Sequence, residues 1–392
     1  MLNFDLHIPT KIIFGRKAQE QIGKALKPYA GKVLLHYGGG SIKKSGLYSE
    51  ITAALRGSGI AFAELGGVVP NPRLGLVQKG IELCRKEQVE LVLAVGGGSV
   101  IDSAKAIAMG FYYEGNIWDV YETGQAITAA LPVAAVLTIP AAGSESSPNT
   151  VITNEEKAIK RGFGSQLLRP VLSVVNPELF FTLPQEQLAN GAADMMSHIF
   201  ERYFTNTTHT DLTDSLCEAT LKTIMKNALL VKADRQDYDA WSEIGLGATF
   251  AHNNILGVGR EQDWACHGME HELSAIYDVA HGAGLAVLTP NWMEYVYKDN
   301  IAIFTQFAVK VMGVEGGYRP AEAPILAAIA KLRKFYRELG LPSTLKELGI
   351  DESKLELMAQ KATGAAYGAE RPLGNFKKLL WQDVLAIYKR SA

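Results

Sequence analysis

The chain has 392 residues, with 39 Lys and Arg against 41 Asp and Glu and a net charge of −2, which excludes a phosphate-binding basic surface as its main business. Hydrophobic residues make up 47% and charged residues 20%, a globular composition long enough for two or three domains of roughly 150 residues each. The three cysteines, Cys84, Cys217 and Cys266, form no CxxC pair, so neither a disulfide scaffold nor a cysteine zinc site is expected, and a reducing cytoplasm fits.

The opening residues carry Asp5 early and no apolar core, so no signal peptide is read there. Phe4 to Phe14 reads as extended, with Phe4, Leu6 and Ile8 alternating before Ile12 to Phe14. Such a segment, ahead of the first βα unit, is expected at a sheet edge. Two copies paired through that edge would give an isologous homodimer. Lys32–Tyr37 is an apolar strand ended by Gly38, Gly39 and Gly40, and a helix carrying Leu47, Ile51 and Leu55 follows. Ile60–Leu65 reads as a second strand closed by Gly66 and Gly67, and Leu74, Val77, Ile81 and Cys84 mark a helix. Glu90–Val95 is a third strand, ended by Gly96, Gly97, Gly98 and Ser99, and Pro132–Thr138 and Val171–Val175 are two more. These runs are apolar on both faces, as in a parallel sheet covered by helices. Thr123 to Ser144 spans 22 positions without a charge, but its prolines and glycines break it into turn, strand and turn, so it reads as a buried strand and not a membrane span.

After Pro184 the pattern becomes helical: Gln185–Thr205, Asp211–Lys232, Tyr238–Leu256 and several segments after Asp299, with Gly313–Pro324 as a loop. The expected organisation is an α/β domain over 1–184, with a parallel Rossmann-like sheet, followed by an all-helical domain over 185–392.

Two Gly triplets at the carboxyl ends of strands let the backbone approach a pyrophosphate, and the following helices offer N–H groups to its charge. One triplet alone is an ordinary tight turn; two, beside the polar turns at Thr138–Ser147 and Asn176, favour a nucleotide or phosphorylated ligand. Neither completes GxGxxG, because Lys43 and Ile101 stand at the third position. The loop Ser41–Lys44 has a hydroxyl and the cations Lys43 and Lys44 but no carboxylate, which favours a 2′-phosphate and hence NADP over NAD. Glu64, near the end of the second strand, argues the other way.

Six of the eight histidines fall between His198 and His281. Asp194 and His198 share a helix face at i, i+4; His267 and His271 repeat that spacing, and His281 follows ten residues later. Any one pair is commonly an ion pair or a core histidine. Together they could supply three or four N/O ligands and leave a position open for substrate. HExxH, a Tyr-x3-Lys pair and GxSxG are all absent from the sequence.

The segments Gly96-Gly-Gly-Ser-Val-Ile-Asp102-Ser-Ala-Lys105, Thr138-Ile-Pro-Ala-Ala-Gly-Ser-Glu-Ser, Asn190-Gly-Ala-Ala-Asp194-Met-Met-Ser-His198 and His267-x3-His271-x9-His281 closely resemble the iron-containing (group III) alcohol dehydrogenase family over essentially the whole chain. The start of the chain and Tyr37–Lys44 are similar to the branch of NADPH-dependent butanol dehydrogenases and broad aldehyde reductases. The resemblance implies that Asp194, His198, His267 and His281 bind one divalent metal, Fe(II) or Zn(II), and that His271 lies near the nicotinamide and relays a proton. It implies cofactor contacts from Gly38, Gly39, Gly40, Ser41, Lys43, Asn71, Gly97, Gly98, Ser99, Asp102, Thr138, Ser147, Asn149 and Lys160. The expected enzyme is a cytoplasmic, dimeric, NADP(H)-dependent oxidoreductase of primary alcohols and aldehydes, with no nucleic-acid or membrane partner. The alternative is a lyase similar to dehydroquinate synthase that uses NAD transiently. That would need a dense basic cluster, and Arg202, Lys222 and Arg260 do not make one.

Overall fold

β-branched and leucine-rich runs form the strands of the first half. The computed structural model describes residues 1–315 and 321–392. In chain order the strands are β1 Lys11–Phe14, β2 Lys32–Gly38, β3 Ala61–Val68, β4 Leu91–Gly96, β5 Val133–Leu137, β6 Asn149–Asn154, β7 Ile159–Gly164 and β8 Leu172–Val175. Six of them make one sheet in the order β1-β8-β5-β4-β2-β3, and every pairing in it is parallel. The helices of this half are α1 Ile22–Leu26, α2 Ser41–Lys44, α3 Leu47–Gly57, α4 Leu74–Glu87, α5 Gly98–Gly110 and α6 Trp118–Thr123. Val33, Leu35, Val95, Val136 and Val174 of the sheet pack in one core with Ile22, Leu26, Ile51 and Leu55. Each such side chain contributes roughly 1.5–3 kcal/mol on burial.

The central strands β4, β5 and β8 are buried along their whole length, as their unbroken apolar runs require. The second predicted strand departs from that expectation. β3 is an edge strand with exposed positions, and it runs on through Gly66 and Gly67 to Val68 where a turn was expected. A register shift between His36 and Gly38 lets Val68 pair with Gly38. The antiparallel hairpin β6–β7 was not foreseen, because Asn149-Thr-Val-Ile-Thr-Asn154 and Ile159-Lys-Arg-Gly-Phe-Gly164 lack an apolar run. Of the predicted extended segment Phe4–Phe14, only Lys11–Phe14 joins the sheet, beside β8. The uncharged stretch Thr123–Ser144 contains β5, and among the described residues no helix is long and apolar enough to cross a membrane.

The chain divides into two units, His7–Leu183 and Pro184–Ala392, with Met1–Leu6 belonging to the second. There the Leu2 amide donates to the Gly259 carbonyl at 2.8 Å and the terminal amine to the Thr208 carbonyl at 2.7 Å. The second unit is helical: α7 Gln185–Tyr203, α8 Asp211–Ala233, α9 Tyr238–His252, α10 Ala265–Tyr277, α11 His281–Val296, α12 Ile301–Lys310, α13 Glu322–Leu339, α14 Leu355–Ala362 and α15 Trp381–Ser391. α7 is buried without a break from Leu188 to Tyr203, which marks it as a core helix. α9 stops four residues short of the predicted Leu256. Asn254 adopts a left-handed conformation and the Asn253 side chain accepts from the Ile255 amide at 3.0 Å, so local side-chain bonding ends the helix. Of the predicted Gly313–Pro324 loop, residues 316–320 lie outside the described residues. Its end is helical, with Pro324 tolerated in the first turn of α13, where its missing N–H costs nothing.

Candidate metal and cofactor sites

α7 carries Asp194 and His198 one turn apart, α10 carries His267, and His281 is the first residue of α11. α7 and α11 can approach closely because residue 282 is glycine: a Cβ there would stand 2.1 Å from the Asn190 carbonyl oxygen. The result is a convergence on one atom. Nε2 of His198, His267 and His281 lies 3.3, 3.9 and 3.9 Å from Asp194 Oδ1. With metal–ligand bonds of about 2.0–2.1 Å, the ligand–ligand edges of a tetrahedral site are ~3.4 Å; donor atoms of Asp194, His267 and His281 all lie within 4.8 Å of one another, while His198 stands close to Asp194 but outside that group. Asp194 Oδ1 and His267 Nε2 are buried without a hydrogen-bond partner. A cation bound among them would satisfy both, where leaving them unpaired is costly. Asp194, His267 and His281 therefore fit a divalent metal, with His198 Nε2 3.3 Å from the same carboxylate oxygen.

The surroundings tune these rings. Burial, with His252 and His267 adding to it, holds His198 well below the usual imidazole range, which keeps its ring neutral. Burial works against charge on His267 too, but the adjacent carboxylates of Asp194 and Glu201 outweigh it and push that ring up to about 9. The buried Arg202 donates to the His198 carbonyl at 2.6 Å and to His252 Nδ1 at 2.9 Å. Its guanidinium lies 4.7 Å from the Trp264 ring centre, and that ring meets His198 and His267 edge-on. His271 is half-buried, one turn beyond His267, with its ring centre 5.9 Å from that of His281. Donor atoms of His271, Glu270 and His281 lie within 4.8 Å of one another, as do those of Asp194, His267 and His281; His271 is not in the latter group. Reading the sequence for histidine spacing missed Glu201, Arg202, His252, Trp264 and Glu270. The available signal was acidic residues at i+3 from His198 and from His267 on apolar helices.

In the α/β unit, Gly38 ends β2, Gly39 and Gly40 turn, and Ser41 opens α2; Gly40 has φ 116°, a conformation that favours glycine. Gly97 precedes α5, with Gly98 and Ser99 in its first turn, and a Cβ on Gly97 would come within 2.9 Å of Ile139. Thr138 follows β5, its amide donating to the Gly96 carbonyl at 3.0 Å. These residues gather at the carboxyl ends of β2, β4 and β5. Asn71 is buried with a left-handed backbone, Asn149 opens β6, and Lys160 is buried on β7 opposite Thr153.

Asp102 and Ser147, expected at the cofactor, hydrogen-bond to the segment that follows β5. Asp102 Oδ2 accepts from the Val151 amide at 2.9 Å and Oδ1 accepts from the Ser144 hydroxyl. Ser147 Oγ takes bonds at 3.3 Å from Lys105 Nζ and from the Asn149 amide. Lys105, fully buried, also reaches the Ser144, Ser147 and Asn149 carbonyls at 2.7, 2.9 and 2.8 Å, tying down the loop after β5. Lys43 is exposed, with Nζ 5.1 and 4.8 Å from the ring centres of Tyr37 and Tyr48. Glu64 accepts from both phenols, Tyr37 at 3.2 Å and Tyr48 at 2.5 Å, so both of its oxygens are engaged.

A parallel sheet with glycine turns at its carboxyl ends fits a nucleotide-binding unit, and the Asp/His cluster of the helical unit fits a metal-binding one. The family model for iron-containing alcohol dehydrogenase matches residues 9–177, and that for the C-terminal part of the Fe-containing alcohol dehydrogenase family matches residues 188–392. The chain belongs to the iron-containing alcohol dehydrogenase family and is an alcohol/aldehyde oxidoreductase. It is 44% identical to the NADH-dependent butanol dehydrogenase A of Clostridium acetobutylicum, over all of both chains. It is 36% identical to the NADPH-dependent aldehyde reductase YqhD of Escherichia coli, over 92% of this chain and 93% of that one. The crystal structure of the NADH-dependent butanol dehydrogenase A from Thermotoga maritima superposes with a TM-score of 0.96 at 43% identity, covering 100% of this chain and 99% of that one. The family assignment leaves the dehydroquinate synthase-like alternative without support.

Proposed function

We propose that the chain interconverts primary alcohols and aldehydes of butanol-like size using NADP(H) and one divalent metal held by Asp194, His198, His267 and His281. The observation that carries this reading is the convergence of three Nε2 atoms on Asp194 Oδ1. When bound, such a metal supplies Lewis acidity toward a carbonyl or alcohol oxygen and the nicotinamide carries the hydride. The chain's own part is to hold and orient. Asp194 contributes the one anionic donor, and burial keeps His198 neutral. His271, outside the Asp194 cluster yet one turn from His267, moves the proton. Backbone N–H groups around Gly38–Ser41 and Gly97–Ser99 receive the cofactor phosphates, while Asp102, Lys105 and Ser147 keep the adjoining loop in place.

The choice of NADP(H) rests on Lys43 and Ser41, in a loop without a carboxylate. Glu64 does not oppose it, because two phenols occupy its oxygens. Relatives at 42–44% identity are named for NADH and the aldehyde reductase at 36% for NADPH, so the reading rests on this chain's own loop and not on its relatives. A homodimer through the edge strand β1 belongs to the same reading, as does a reducing cytoplasmic setting for three free, buried cysteines. A panel of aldehydes of increasing chain length, assayed with NADPH, tests the proposal: butanal should be reduced with stoichiometric loss of NADPH. No turnover of any aldehyde by the metal-loaded protein would refute it.

A further inference from the structure

A histidine that binds a metal through one ring nitrogen is oriented by whatever the other nitrogen bonds. Two helices use the same device. His267 Nδ1 lies 3.1 Å from Oε1 of the buried Glu201, and its Nε2 is buried and unpartnered. An ionised carboxylate only accepts, so Nδ1 donates and Nε2 is the nitrogen left for a metal to take, with loss of any proton there. His281 Nδ1 contacts Oε2 of the fully buried Glu270, and its Nε2 faces Asp194.

Both carboxylates are themselves fixed. Glu201 Oε2 accepts from the Trp264 amide at 2.8 Å and Oε1 from the His267 amide at 3.0 Å, so a side chain of α7 caps the start of α10. Glu270 accepts from the Ser274 hydroxyl. Its side chain needs the space left by Gly284, where a Cβ would come within 2.8 Å of it.

We infer that Glu201 and Glu270 are positioning residues for a metal: they fix the Nδ1–H tautomers of His267 and His281 and so set how tightly the site holds its cation. The inference rests on the metal reading above. Replacing such a partner weakens metal binding by roughly 10–100-fold, because the amide keeps the shape but not the charge.

The test is a Zn2+ titration of the metal-free protein against a chromophoric chelator, for the unaltered chain, E270Q, E270D, E201Q and H267A, with thermal midpoints of the metal-free forms alongside. The expected result is a 10–100-fold weaker Kd for E270Q at an unchanged midpoint, with affinity partly restored in E270D. An E270Q affinity equal to that of the unaltered chain overturns the inference. H267A binding Zn2+ as tightly as the unaltered chain is a different result, which removes the metal reading itself. Glu201 also caps α10, so if E201Q lowers the midpoint, E270Q decides. A measurement without any variant is the NMR of labelled imidazole nitrogens in the Zn2+-loaded protein: Nδ1 protonated and Nε2 ligated is expected for both rings, and ligation through Nδ1 overturns the inference.

Discussion

Glu201 and His267 are joined twice: one carboxylate oxygen, Oε1, accepts from the His267 backbone amide at 3.0 Å and from its ring Nδ1 at 3.1 Å. Backbone and side chain of the same residue are thus held by one group on another helix. The placement of α10 and the aim of its histidine are a single structural fact, and the spacing around Asp194 depends on such fixed helix positions.

The close approach of α7 and α11 gives the first prediction. Gly282→Ala puts a methyl group against the Asn190 backbone, which cannot give way as a side chain would. α11 must shift, carrying His281 from Asp194. The expected loss is about 1–3 kcal/mol of stability, together with weaker metal retention. Urea unfolding and metal analysis check this; full retention of both would show that the close approach does not matter.

Cofactor preference gives the second. In the unaltered enzyme kcat/KM should be higher for NADPH than for NADH. Lys43→Ala should lower the NADPH value by ~10-fold or more, since a charge-assisted hydrogen bond contributes roughly 1.5–3 kcal/mol. Gly39→Asp should repel the 2′-phosphate and narrow or reverse the preference. Equal kcat/KM for the two cofactors in the unaltered enzyme contradicts the reading of the Ser41–Lys44 loop.

A third concerns acid stability. His36 lies in the core between β3 and α5, with Nδ1 2.8 Å from the Leu65 carbonyl and Nε2 2.8 Å from Ser103 Oγ. Burial pushes it down from 6.5 to about 4, only partly offset by the Leu65 bond. Between those values the unfolded chain binds a proton that the folded one refuses. Stability therefore rises with pH across this window and is lost as pH falls from about 6.5 toward about 4, by ~3 kcal/mol from this group. Denaturant unfolding at several pH values, for the unaltered chain and His36→Gln, isolates the effect: the variant should show the shallower slope.

Assembly gives the fourth. β1 is a four-residue edge strand ending at the exposed Phe14, and Phe4 and Leu6 ahead of it are exposed too. Light scattering at micromolar concentration should report a dimer. A monomer would contradict edge pairing.

How far the sequence could be read follows the physics. Buried strands were legible because their residues are apolar over whole runs, as in Leu91–Gly96, whereas the complete burial of Leu188–Tyr203 was not, since that stretch carries Asn190, Asp194, Ser197, His198, Glu201 and Arg202. Helical spacing made Asp194 with His198 and His267 with His271 legible as pairs, whereas the choice of His281 over His271 as a ligand came only from the family resemblance. β6–β7 was not legible, since its strands pair with each other through polar residues. Nor was the joining of Met1–Leu6 to the helical unit, which two backbone hydrogen bonds mark. Glu201 and Glu270 escaped notice because an acidic residue on a helix ordinarily faces water, and only the fold shows these two buried against histidines. The surroundings of Glu64 were not legible either: its two tyrosine partners come from β2 and α3, a meeting that no local pattern encodes.

The most direct test of the central claim is the metal content of the purified chain measured together with its turnover of butanal and NADPH, for the unaltered protein and for His267→Ala. The account predicts one divalent metal per chain and NADPH loss matching butanal consumed. It predicts that both metal and turnover are lost in the variant, with activity down by at least ~100-fold and its circular dichroism unchanged. A metal-free His267→Ala protein that reduces butanal with unimpaired kcat would contradict it.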